Sequence, residues 1–201
     1  KSFHPGRSAQ NGYAAALLAQ AGFTSGEHGI EGPRGFAAVQ SAKYDLSKLT
    51  NGLGVDFDLR TNTYKPFPCG IVIHPTIDGC IQIHDEHQPS PDAIKAVRLR
   101  VAPLVLDLCN KQQITEGLEG KFSVYHGAAI GLILGKAGLR ECTNETVADP
   151  AIKRVRESTT AVADSSISED QVQIEVELTN GTTLEKFIEQ SLGNIHKPMT
   201  D

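Results

Sequence analysis

Residues 171–189 read QVQIEVELTNGTTLEKFIE, and this stretch decides the fold class. Val172, Ile174, Val176 and Leu178 alternate with polar residues, the period of a strand with one buried face. Asn180-Gly181 then predicts a two-residue type I′ turn, and TLEKFI predicts a returning strand. An antiparallel hairpin needs a sheet to join and a layer to cover its apolar face.

Working upstream, the covering layer is visible as helical periodicity. DPAIKRVREST predicts a helix capped by Asp149 with Pro150 at its first position. KFSVYHGAAIGLILGKAG predicts a second helix ending at Gly138, and IVIHPTIDGCIQIHDEH a third, with Ile73, Ile77 and Ile81 on one face. Between them, Ile94–Val101 alternates as a strand, and LRTNTYKPF reads as extended, with Lys65 ending a strand. Strands interrupted by helices and closed by a hairpin make residues 59–191 an α+β domain.

The first 58 residues differ. SAQNGYAAALLAQA predicts a helix with Ser8 as cap and Gly22 as stop. GPRGFAAVQSA predicts a short helix with Pro33 in its first turn, and DLSKLTNGLG a further turn or two. Little there signals strand.

Bulk properties narrow the function. The chain has 201 residues, 39% of them hydrophobic, with a net charge of −5. An acidic chain lacks the basic face that general nucleic-acid binding requires, so no nucleic-acid partner is expected. No apolar run approaches the roughly 18 residues a membrane span needs, so no membrane partner is expected. Four widely spaced cysteines without a CxxC pair suit reduced thiols, and hence an intracellular protein. The start, KSFHPGRSAQNG, has neither a signal-peptide core nor an initiator methionine, so a processed chain or a piece of a longer one is expected.

Several polar groups stand where chemistry could occur. In YKPFPCGIVIHP, Pro66 biases Lys65 away from helical geometry, and Tyr64 and Phe67 suggest a buried lysine stem with a lowered pKa. Read from residues alone, Lys65 is either a snorkelling surface lysine or a functional one. His74 falls near a helix N-cap, where a neutral imidazole is favoured and Asp78, four residues on, could hold one ring nitrogen. Tyr125 follows Lys121 by one turn, so a neighbouring cation could lower its pKa, unless it is simply a core tyrosine. Lys1, His4 and Arg7 surround a Pro-Gly turn leading into a helix, an arrangement suited to anions. HDEH at 84–87 fits a solvated helix end better than a zinc site.

Taken together, KSFHPGRSAQNGYAAALLAQAGFTS, YKPFPCGIVIHPTIDG, LEGKFSVYHGAAIGLILG and ADPAIKRVRE before the hairpin and KPMTD resemble the MmgE/PrpD family. The resemblance runs through essentially the whole chain. It implies the C-terminal portion of a two-domain α+β protein: residues 1–58 from a larger helical domain, 59–191 an α+β lid, and 192–201 a return towards the helical domain. The family's activities include 2-methylcitrate dehydration, cis-aconitate decarboxylation and iminodisuccinate epimerisation. Carried across, it implies catalytic roles for Lys1, Lys65, His74 and Tyr125, with His4, Arg7, Cys69 and Gly70 lining the substrate pocket. The decarboxylase branch has a histidine where this chain has Gly70, and KPFPCGIVIHP is closer to the epimerases. The implied chemistry removes a proton next to a carboxylate of a di- or tricarboxylic acid, without metal or organic cofactor. The implied partners are that small anionic substrate, the protein's own N-terminal helical half and a second copy in a homodimer; the implied location is cytoplasmic or mitochondrial. The competing expectation is a catalytically inactive piece serving as an interaction module.

Overall fold

The computed structural model of the chain describes residues 3–200. It divides into two compact units, residues 1–58 and 59–201.

The first unit holds helix α1 (Phe3–Gln20), helix α2 (Phe36–Gln40) and a 3-10 turn at Leu46–Leu49 capped by the Asp45 side chain. Helix α1 begins five residues before Ser8, so Ser8 is interior and not a cap. Pro33 lies in the turns before α2, not in its first turn. Gly22 takes a left-handed φ of 87°, as a helix stop should. Among the described residues of this unit only Gly35 is buried, and Phe3, Tyr13, Leu17 and Leu18 are all exposed along α1.

The second unit contains the core and a mixed four-stranded sheet of order β2-β1-β3-β4. Strand β1 (Ile94–Val101) pairs in parallel with β2 (Thr159–Ala163) and antiparallel with β3 (Val172–Leu178). Strand β4 (Thr183–Ile188) closes the hairpin with β3. Register sets Val97 beside Val176 and Leu99 beside Ile174 on the buried face. One residue out of step lies the other face, where Arg98 grips Glu175 at 2.6 Å and Glu177 at 2.5 Å.

The parallel step from β1 to β2 requires a long crossover. It carries α4 (Pro103–Cys109), α5 (Gly117–Gly120), α6 (Val124–Leu134), α7 (Asn144–Ala148) and α8 (Pro150–Glu157). Before β1 comes α3 (His74–His87), which packs on α6 and on the hairpin strands. Glycines allow the approach of α3 and α6: a Cβ on Gly131 would lie 2.7 Å from the Cys80 Cβ, and one on Gly127 3.1 Å from Ile77.

Four local expectations are corrected. Residues 59–67 form no strand: a 3-10 turn at Asp58–Thr61 gives way to irregular backbone through Lys65. Helix α6 ends at Gly135, which has a φ of 61°, not at Gly138. The hairpin turn is not type I′, because Asn180 keeps a negative φ and Gly181 alone is left-handed, at 87°. Leu178 and Thr182 pair at 2.8 Å around three loop residues, the arrangement of a type I turn followed by a glycine bulge. Finally, the helix from Pro150 stops at Glu157 and Thr159 opens β2, a strand that sequence periodicity did not reveal. Its Asp149 cap is present, accepting from the amides of Ala151 and Ile152.

Candidate active site

The loop from Lys65 to Gly70 carries most of the site. Two prolines keep it out of helix, so its direction depends on tertiary hydrogen bonds. The Tyr64 amide donates to the Gly193 carbonyl at 3.0 Å, and the Gly70 amide donates to the Lys121 carbonyl at 3.0 Å. The first bond ties the loop to the C-terminal segment, and the second ties it to the entry of α6. A Cβ on Gly193 would lie 2.2 Å from the Tyr64 carbonyl oxygen, so the contact with the C-terminal segment demands glycine.

Lys65 is exposed, contrary to the expectation of a buried stem, because its loop is not a strand packed on the sheet. Its Nζ donates back to the Cys69 carbonyl at 3.0 Å. Cys69 is half-buried, and burial pushes its thiol up to about 12; the lysines 65 and 121 only partly oppose this. At neutral pH Cys69 is therefore a protonated thiol, suited to lining a pocket and not to acting as a base.

His74 opens α3 and is 2% exposed. Burial, with the Lys65 charge second, pulls its pKa down to about 4, so the ring is neutral. The ring meets Phe67 edge-on at 5.3 Å, and its Nε2 is buried without a hydrogen-bond partner. The residue lines a cleft of about 280 Å³ shared with Tyr64, Ile71, Ser191 and Asn194. Asp78 does not hold this ring. It accepts instead from Gln82 at 3.0 Å, from the Leu192 amide at 3.0 Å and from Lys197 at 2.9 Å, anchoring the C-terminal segment.

Tyr125 sits in the first turn of α6, whose Ser123 cap accepts from the His126 amide. Its hydroxyl donates to Asn110 Oδ1 at 2.6 Å. Burial raises the phenol's pKa, so the expected lowering by Lys121 is corrected: the hydroxyl meets the neutral Asn110 amide. Asn110 was missed in the sequence, since a lone asparagine after a helix reads as a C-cap. Its backbone bridges to Ser123, which fixes the amide opposite Tyr125.

The second unit thus holds two local arrangements, Lys65 with Cys69 and His74, and Tyr125 with Asn110, linked by the Gly70–Lys121 hydrogen bond. His4 and Arg7 lie exposed on α1 of the first unit, where Arg7 donates to Gln10 at 2.8 Å. Lys1 lies outside the described residues. Among the described residues no group of three His, Cys, Asp or Glu side chains could hold a metal, and His84 of HDEH contacts the Leu132 carbonyl at 2.8 Å. The four cysteines form no disulfide, and no described helix is long and apolar enough to cross a membrane.

The profile of the MmgE/PrpD C-terminal domain matches residues 67–201. The chain belongs to the MmgE/PrpD family. Lys65 stands two residues ahead of the matched region, while His74 and Tyr125 fall inside it. A search of curated proteins returned no match. The family is known for lyase and isomerase activity.

Proposed function

We propose that this MmgE/PrpD chain is part of an enzyme that removes a proton from carbon next to a carboxylate of a small di- or tricarboxylic acid. Departure of hydroxide, as water, from the neighbouring carbon would make it a dehydrating lyase, and return of the proton to the other face an epimerase; in a decarboxylase the carbon would lose carbon dioxide in place of the proton and then take a proton up. The observation that carries this reading is His74: a buried, neutral imidazole with an unpartnered Nε2, beside a cleft and within reach of the Lys65 charge. A bare imidazole nitrogen can accept a proton, and a nearby ammonium stabilises the negative charge that follows. Tyr125, held protonated by burial, would return a proton. No step here calls for a metal or organic cofactor.

The resemblance's roles for Lys1 in catalysis and for His4 and Arg7 in substrate binding belong to the same proposal. So do the partners. The exposed apolar side chains of α1 favour packing against further helices, for which the N-terminal helical half of the family fold and a second copy of the chain are the natural candidates. The same exposure favours a second reading, in which the chain serves only as an interaction module.

One experiment separates them. Incubating the protein, together with its helical half, with a panel of di- and tricarboxylates in D₂O should give deuterium incorporation or product signals by NMR. These should be lost in His74→Gln and Lys65→Met. Turnover unaffected by either substitution refutes the assignment, and an inert panel with intact association supports the interaction module.

A further inference from the structure

Arg156 is a buried cation that the proposed chemistry does not use. It sits at the end of α8, 3% exposed, and its Nη1 donates to the Val147 carbonyl at 3.0 Å. Its Nε is buried without a partner. The carboxylate whose charge acts on Arg156 is Glu157, the next residue, which also faces Lys153 at 3.9 Å. Glu119 is held by the Thr115 amide and by Lys111 at 3.2 Å. The adjacent His126 is neutral, its pKa pulled down to about 4 by burial, and so adds no second positive charge. One backbone carbonyl is poor compensation for a guanidinium taken out of water.

Arg156 also lines a cleft of about 300 Å³ with Ile114, Thr115, Val147, Ala148 and Lys153. The lining is apolar apart from one hydroxyl and two cations. Its elements are α7, α8 and the segment before α5, none of which carries Lys65, His74 or Tyr125. We propose that this cleft binds a small oxyanion, a phosphate or carboxylate group, with Arg156 as the buried anchor and Lys153 as the cation at the rim. A guanidinium's fork suits two oxygens of such a group, and the small volume excludes a polyanionic polymer.

The test is thermal unfolding of the chain in sodium phosphate against sodium chloride at equal ionic strength. Binding should raise Tm in phosphate by about 3–6 °C at ten times Kd, beyond any effect of chloride. Arg156→Gln should abolish that difference. Should this variant not fold, Lys153→Gln, an exposed change, should lower apparent phosphate affinity about 3–10-fold while leaving Tm in chloride unchanged. Acetate producing the same Lys153-dependent rise in place of phosphate also supports the site. Equal Tm in phosphate and chloride overturns it, as does a phosphate effect lost in Lys65→Met but retained in Lys153→Gln.

Discussion

Gly70 offers the sharpest test of the site's construction. A methyl group there would lie 2.8 Å from Cys109 Sγ and 3.7 Å from the Lys121 carbonyl oxygen. Apolar contacts are optimal at about 3.5–4.0 Å, so the first distance is a collision and the second is ordinary contact. Cys109 is 1% exposed and its sulfur cannot swing into solvent. The loop must therefore retreat, stretching the Gly70–Lys121 hydrogen bond that joins it to the entry of α6. Overpacking of this kind costs about 1–3 kcal/mol, and for a chain of this size each kcal/mol lowers Tm by about 2–4 °C. The assay is urea unfolding of Gly70→Ala, Cys109→Ala and the double variant. Removing the sulfur makes room for the methyl, so the double variant should be more stable than the sum of the single changes predicts, by about 0.5–3 kcal/mol. A Gly70→Ala midpoint equal to the parent's, or strictly additive changes, refutes the reasoning.

Three further outcomes are expected. Asn110→Asp places a carboxylate against the Tyr125 hydroxyl, which should raise the phenol's pKa further and move the alkaline limb of any proton-exchange profile to higher pH; an unmoved limb counts against a role for the pair. His74 and His126 are both held near 4 in the fold against about 6.5 unfolded, so between those values the unfolded chain binds more protons; stability should be full above pH 6.5 and fall towards pH 4, and a urea midpoint unchanged between pH 7.5 and 5 contradicts this. Asp149→Ala removes the side chain that caps α8, which should cost about 1 kcal/mol in equilibrium unfolding, whereas Asp149→Asn should cost little; equal losses in both would mean that charge, not capping, is at work.

Elements whose signal is local were legible without coordinates. Alternation in 172–178 and 94–101 specifies strands because a one-residue slip would turn every apolar side chain to water, and Asp149-Pro150 specifies a helix start because both residues act on their own turn. The family was legible too, since four motif blocks in order are a property of the chain alone, and the profile match at 67–201 bears that out. What only the tertiary structure decided was contact. TTAVA is too short and too weakly patterned to announce a strand, and becomes β2 because β1 has a free edge beside it. LRTNTYKPF has strand-like composition but no strand to pair with, so it follows its proline and the Tyr64 bond to Gly193. Lys65 is exposed, Asp78 serves the C-terminal segment instead of His74, and Tyr125 answers to Asn110 instead of Lys121. For Asp78 and Tyr125 the deciding partner is distant in sequence, and spacing along a chain carries no information about which distant carbonyl or amide will fill a hydrogen bond.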